Sequence, residues 1–277
     1  MYAARLSREH EPAVRRLLGA DPIQNLFLLG QLDPRTLERP FWYGAFNHDV
    51  LTGVVFYPGE RLAVPWAPNP SAAAAVGAFL PPLHDSMMLV GPRLAVDALW
   101  STWGRGLSPH RSYDQRLYVC DNAPSTPSDK RFRLARLDDS RVIAAYAGEM
   151  EREDLGRNPA DEEPEAHHKT IRERILNGRV WVLECDGEIA FQINVGASHA
   201  GGVQVGGTYV PPKFRGTGIA THAMRLLNQE LLKTHQFVTL HVNEANVPAV
   251  RTYEKSWFKR YSPFRLMTIT APPEDSQ

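Results

Sequence analysis

The run from Gly207 to Ala220, GTYVPPKFRGTGIA, constrains this chain more than any other stretch. Thr208, Tyr209 and Val210 favour an extended backbone, Pro211 and Pro212 end it, and the glycines of Arg215-Gly216-Thr217-Gly218 let the chain curl tightly. A helix is predicted immediately afterwards. Ile219, Ala223, Leu226, Leu227 and Leu231 recur at helical spacing, with His222, Arg225, Asn228, Gln229 and Lys233 on the other side. The first amides of a helix have no acceptor within it, so those from Arg215 to Ala220 point outward beside the positive end of the dipole, an arrangement that suits phosphate. Read alone, the same loop also suits a plain strand-to-helix turn. A Walker loop is excluded because no Gly-Lys-Ser/Thr follows, and the dinucleotide fingerprint fails at Thr221, where its third glycine belongs.

A second motif follows the helix. Phe237 to Val242 alternates β-formers and reads as a strand, and NEANVPAVRTYEK, Asn243 to Lys255, starts a further helix near Asn246 to Pro248. Together, Val210-x4-Arg215-Gly216-x-Gly218-x-Ala220 and Asn243-x-x-Asn246-x-Pro248-Ala249-x-x-x-Tyr253-Glu254-Lys255 resemble the acetyl-CoA-binding core of the GNAT superfamily of N-acetyltransferases. The resemblance is sharp from Gly207 to Lys255 and looser over the rest of the C-terminal half.

What the resemblance implies can be placed on residues. In the family, splayed parallel strands hold the pantetheine arm, and by position Val205 to Val210, including Thr208, Tyr209 and Val210, is the strand that bonds it. The amides of Arg215, Gly216, Thr217, Gly218, Ile219 and Ala220 would take the pyrophosphate, with the Arg215 side chain adding charge-assisted contacts or simply capping the fold. Tyr253 stands where the family often places the general acid, since a phenol is protonated at neutral pH and can give its proton to sulfur; a packed helix aromatic is the alternative. Asn246 would cap the last helix and reach the coenzyme arm, and Asn243 and Arg251 are further coenzyme contacts. Acetyl-CoA is thus the expected donor, an amine the expected acceptor, and no metal is expected.

The general base is left open. Many members carry a glutamate on the strand before the phosphate loop, but here the run is GGVQVGG, and Gln204 cannot take a proton. Water, Glu149, Glu151, Glu184 or His241 could serve. The first two helices of the C-terminal half carry Glu149, Glu151, Glu153 and Asp154, then Glu162 and Glu163. Facing the cleft, that acidity would favour a cationic acceptor such as a polyamine, an aminoglycoside-like compound or a lysine side chain; facing water, it says nothing. His167 and His168 are adjacent, and helical neighbours point about 100° apart, so a solvated face is expected rather than a metal pair.

The chain has 277 residues, enough for one large or two ordinary domains, with Lys+Arg and Asp+Glu balanced at 31 each. That balance gives no field toward nucleic acid or membrane. Two cysteines, Cys120 and Cys185, lack metal-ligand spacing and fit a reducing compartment. The N-terminus, MYAARLSREHEP, is charged where a signal peptide needs an apolar run, and no apolar stretch reaches spanning length. A cytoplasmic protein without nucleic-acid or membrane partners is expected, and a homodimer is left open.

Element order points to a repeat. Strand Tyr2–Leu6, helix His10–Leu18, and an apolar helix opened by Asp21-Pro22 and running through Asn25 to Leu29 come first. Strands Phe41–Phe46 and Gly53–Tyr57 pair around Asn47-His48-Asp49, and strand Leu62–Trp66, helix Ser71–Phe79, strand Ser86–Val90, helix Leu94–Trp103 and strand Tyr113–Cys120 follow. After a polar linker at 123–130, strand Phe132–Leu137, a helix capped by Ser140 and running to Glu151, a helix Pro164–Leu176, and strands Val180–Cys185, Ile189–Val195 and Gln204–Val210 repeat the order. The expected fold is therefore α/β, or α+β, with two tandem GNAT-like domains at 1–122 and 131–277, each a mixed, mostly antiparallel central sheet flanked by helices. In the first, Val64-Pro65-Trp66-Ala67-Pro68-Asn69-Pro70 stands in place of the phosphate loop, and prolines lack the amide donors that phosphate needs. That domain is expected to be degenerate and to pack beside the active one, or to hold a regulator site of its own. An N-acetyltransferase is the leading functional reading; a non-catalytic acyl-CoA-binding regulator and a nucleotide-binding oxidoreductase are the alternatives.

Overall fold

The computed structural model describes residues 1–59, 61–83, 86–105, 107–199 and 201–270. Contacts divide the chain into two units: the first holds residues 1–118, 241–246 and 260–277, the second residues 119–240 and 247–259.

The first unit begins with β1 (Tyr2–Arg5), α1 (Glu11–Gly19), α2 (Leu26–Gln31) and α3 (Pro34–Leu37). It continues through β2 (Trp42–Asn47), β3 (Val50–Phe56), β4 (Leu62–Trp66), α4 (Pro70–Phe79), β5 (Met87–Pro92), α5 (Arg93–Trp103) and β6 (Arg111–Cys120). The β2–β3 hairpin turns on His48 and Asp49, with φ of 45° and 62°, the left-handed pair that a tight hairpin needs and that Asp and His tolerate better than most. β1 to β4 pair antiparallel, and β4 and β5 run parallel with α4 as their crossover. Successive residues of each strand face opposite sides. Val55, Ala63 and Leu89 pack with α4 and α5 around Val76 and Leu99, while Val54, Phe56 and Val64 pack with α1 and α2 around Val14, Leu18 and Trp42. Each such Leu or Val, removed from water, contributes about 1.5–3 kcal/mol before entropy is counted.

Here β4 and β5 stay close past their last register pair. A Cβ added to Gly91 would lie 3.0 Å from the Pro65 carbonyl oxygen. The start of α4 is closed as well: the Asn69 side chain accepts from the Ser71 N–H at 3.0 Å, and Pro70 has no N–H to offer.

The second unit contains β7 (Phe132–Leu134), α6 (Ser140–Leu155), α7 (Pro159–Glu162), α8 (Pro164–Leu176), β8 (Val180–Cys185), β9 (Glu188–His199), β10 (Gly202–Tyr209) and α9 (Ile219–Leu231). β11 (Phe237–Asn243), whose residues from His241 on count with the first unit, and α10 (Val247–Lys255) follow. β7, β8, β9 and β10 pair antiparallel in turn, and β10 and β11 are parallel with α9 as crossover. α6 and α8 cover one face through Ile143, Ala147, Ile171, Val180 and Val182. Ser140 is the first residue of α6 rather than its cap, which is Asp139; its hydroxyl is turned inward to His168 Nε2 at 3.2 Å. His167 Nε2 donates to the Ala144 carbonyl at 2.9 Å, so both histidines pack α8 onto α6 and neither makes the solvated face expected of them.

The last strand, β12 (Lys259–Ile269), has no counterpart in the sequence reading. It pairs antiparallel with β5 from Phe264 opposite Pro92 to Ile269 opposite Met87, and Met267 and Ile269 enter the first unit's core. Among the described residues no helix is long and apolar enough to cross a membrane.

Candidate active site

The parallel ladder between β10 and β11 ends at Gln204 opposite Thr239, although β10 runs on to Tyr209. From Val205 onward that edge of β10 has no register partner in β11, and its backbone polar groups are available to something else. On its other edge β10 slips against β9 between Gly206 and Tyr209. Gly207 has φ +67° at this bulge, a left-handed value that favours glycine, and a Cβ there would displace the side-chain amide of Asn194.

Past Tyr209 the chain makes a single 3-10 turn at Pro212–Phe214 and enters the glycine loop. Gly216 and Gly218 have φ of +79° and +85°, left-handed values that glycine adopts without strain. Gly218 is the N-cap of α9, no side chain caps the helix, and the first ladder bond runs from the His222 N–H to the Gly218 carbonyl at 3.1 Å. The amides of Ile219, Ala220 and Thr221 therefore open outward at the positive end of a 13-residue helix. The Thr217 hydroxyl donates back to the Phe214 carbonyl at 2.7 Å and fixes the loop's curl.

Arg215 folds back onto its own loop and the end of α6. Its Nε donates to the Val210 carbonyl at 2.9 Å, its Nη2 meets both Glu153 oxygens at 2.7 and 3.0 Å, and the guanidinium lies 5.5 Å from the Tyr209 ring centre. Tyr209 in turn packs on Tyr146 of α6 with ring centres 5.2 Å apart. Thr208, Tyr209, Val210 and the loop are thereby tied to the C-terminal end of α6.

Tyr253 lies on α10, 8% exposed, edge-on to Phe258. Burial raises its phenol pKa, a hydrogen bond with the Thr208 side chain opposes the rise, and the charge of Asp154 adds to it. The phenol is therefore fully protonated at neutral pH. Asn243 and Asn246 fall in the segment 241–246 that belongs to the first unit. The Asn243 side chain accepts from the Ala245 N–H at 3.0 Å in an Asx turn, and Asn246 immediately precedes α10. Arg251 is exposed on that helix.

The proposed bases are mostly engaged. Glu149 pairs with Arg152 at 3.1 Å, Glu151 with Arg157 at 3.5 Å, and Glu184 with Arg133. His241 belongs to the first unit, stacks 4.4 Å from the Phe264 ring, and is pulled down to about 4 by desolvation, so it is neutral. Among the described residues no cluster of three or more His, Cys, Asp or Glu could hold a metal ion.

Gln192 escaped the sequence reading. It is fully buried on β9, opposite Val182 and Tyr209 and so on the face covered by α6, and among the described residues neither its side-chain oxygen nor its nitrogen has a partner. Only its polar type inside the apolar run Ile189–Val195 could have drawn attention to it.

Residues 147–257 match the model of the acetyltransferase (GNAT) family. No curated protein sequence matches the chain significantly. Among solved structures, the chain is similar to a GNAT-family acetyltransferase from Colwellia psychrerythraea, at 8% identity and a TM-score of 0.61, covering 98% of this chain and 100% of that one. A GCN5-related N-acetyltransferase from Sphaerobacter thermophilus gives 16% identity and 0.61, covering 99% and 96%. A tandem GNAT protein from the clavulanic acid biosynthesis pathway gives 14% and 0.53, covering 99% of each chain. At these identities the likeness shows a shared fold.

Proposed function

We propose that this chain is an acetyltransferase of the GNAT family, whose model matches residues 147–257, and that its second unit moves an acetyl group from acetyl-CoA to a primary amine by direct transfer, with Tyr253 as general acid. The observation that carries the reading is the pairing of an open helix start at Gly218–Thr221 with the free edge of β10 one turn upstream. The loop amides donate hydrogen bonds to the coenzyme diphosphate, and the backbone of Val205 to Tyr209 lines up the pantetheine arm and polarises the thioester oxygen. Tyr253, dry and protonated beside Thr208, gives its proton to the leaving sulfur. The first unit plays no such part in this proposal, because Pro65 closes on Gly91 and Asn69 satisfies the start of α4.

Calorimetry with acetyl-CoA and a thiol-release assay across amines and peptides test it. The expected result is binding at one site per chain and release with at least one amine, and Tyr253→Phe should slow release by about 10²–10⁴-fold without weakening coenzyme binding. A second reading, a non-catalytic acyl-CoA-binding regulator, is favoured by Gln204 on β10 where many relatives carry a glutamate. It predicts binding without release for every acceptor.

A further inference from the structure

The helix that carries Tyr253 ends in a left-handed turn of the kind usually made by glycine. Trp257 stands there instead, with φ +71°, in a region that a bulky side chain rarely enters. The Phe258 N–H donates to the Tyr253 carbonyl at 3.1 Å and the Trp257 N–H to the Glu254 carbonyl at 3.3 Å. The Phe258 and Tyr253 rings meet edge-on with centres 6.0 Å apart. These two bonds and that ring contact close the end of α10, and Tyr253 takes part in both through its carbonyl and its ring. The place of Tyr253 therefore depends on Trp257 staying left-handed.

What keeps it there comes from α9. Thr221, Arg225 and Asn228 fall on one stripe of that helix, four and then three residues apart. Arg225 donates from Nε and Nη2 to the Lys255 carbonyl at 3.1 and 2.8 Å, and its guanidinium lies 5.2 Å from the centre of the Trp257 ring. Asn228 Nδ2 donates to the Ser256 carbonyl at 2.9 Å. The buried Ser256 hydroxyl donates to the Thr252 carbonyl at 2.7 Å and lies 3.3 Å from that of Thr221. Carbonyls at the end of α10 that have no donor inside the helix are thus met from α9, with a cation at the negative end of the dipole. Trp257 offers Arg225 a ring face that glycine could not, which accounts for a bulky residue in a strained position.

We infer that Arg225 and Trp257 are positioning residues, which hold Tyr253 at a set distance from the glycine loop so that its phenol meets the coenzyme sulfur. The role rests on the acyl-transfer reading above. α9 then serves two ends of one molecule: its first amides, from Ile219, take the diphosphate, and its side, from Thr221 to Asn228, grips the helix of the proton donor. Neither Arg225 nor Trp257 has to touch coenzyme or acceptor. Loss of either leaves coenzyme bound while the phenol shifts, and a misplacement of about 1 Å can cost about 10²-fold in rate.

The test uses full-length Arg225→Gln, Arg225→Lys and Trp257→Gly with acetyl-CoA and the fastest acceptor from a panel of diaminoalkanes and lysine peptides. Wild type that releases no thiol, or Tyr253→Phe with a kcat within about threefold of wild type, overturns the acyl-transfer reading and this role together. With both conditions met, acetyl-CoA affinity by calorimetry should stay within about threefold of wild type in all three variants. In Arg225→Gln and Trp257→Gly kcat should fall by about 10–10²-fold, with partial recovery in Arg225→Lys, which keeps a cation and a donor. Made in Tyr253→Phe, the same substitutions should lower kcat no further, a non-additivity that a general loss of packing would not give. A kcat within about threefold of wild type in Arg225→Gln or Trp257→Gly, an equal fall in the Tyr253→Phe background, or coenzyme affinity lost in step with kcat overturns the positioning role. Each of these leaves the acyl-transfer reading standing.

Discussion

Glu153 and Arg215, 62 positions apart in sequence, meet at 2.7 Å and lock the glycine loop to the end of α6. The guanidinium thereby holds the shape of the loop, while the phosphate-facing groups are main-chain amides. Glu153→Gln should lower stability by only about 0.2–1 kcal/mol, because both side chains are near half exposed. Coenzyme affinity should fall more than that stability loss suggests, and the penalty should shrink at high salt as screening weakens the wild-type pair. Calorimetry at two ionic strengths reads both.

The loop's glycines are needed for their backbone angles, since a Cβ at Gly218 would meet open space. Gly218→Ala should cost about 1–2 kcal/mol, the penalty for an ordinary residue in the left-handed region, and Gly218→Asn less. Thermal melts rank the two, and acetyl-CoA affinity should follow the same order. Equal melting points for wild type and the alanine variant would contradict the loop geometry.

For Tyr253 the sign of the pH effect is fixed by its burial. A general acid works while protonated, and this phenol is shifted upward, so its loss of activity should lie on the alkaline side, above pH 10, with no contribution near neutrality. Tyr253→Phe should remove that alkaline limb from kcat and leave the acid limb in place. A wild-type profile falling between pH 7 and 9 would assign the acid elsewhere.

Gln192 holds two unpartnered amide atoms in a dry position. Gln192→Met conserves volume and removes both, so the variant should be as stable as wild type or up to about 1–3 kcal/mol more stable in urea titration. A marked loss of stability would mean that the amide has a partner in solution, an ordered water being the simplest.

Asp129 sits between Arg131 and His222, with its carboxyl well below the usual aspartate range, Arg131 contributing most. A depressed carboxylate adds stability above its unfolded pKa near 4 and loses it as pH falls through the folded value. Asp129→Asn should therefore cost about 1 kcal/mol at pH 7, with the gap to wild type closing steadily below pH 4 in denaturant titrations.

The glycine loop, the strands around it and the helix carrying Tyr253 were legible in the sequence because each is set by local rules: prolines ending a strand, glycines with positive φ, apolar residues at helical spacing. β12 was not. Its sequence, KRYSPFRLMTI, contains Pro263 and opens on two charged residues, and its pairing between β6 and β5, the latter more than 170 residues away, is what makes it a strand. α3 and α7, four residues each, are too short to show a period. The acidic end of α6 was visible as composition, but how its carboxylates pair depends on where Arg152, Arg157 and Arg215 land, and no spacing rule gives that. His167 and His168 misled for the same reason, since their partners lie on another helix.

The place of β12 beside β5 bears on how the protein is made. During synthesis the first unit emerges early yet lacks one strand of its sheet until residues 260–269 have left the ribosome, so its β5 edge stays open while the whole second unit is translated. A chain interrupted at the 123–130 linker should yield a sticky fragment prone to association, and growth conditions that slow elongation should make the full protein more dependent on chaperones.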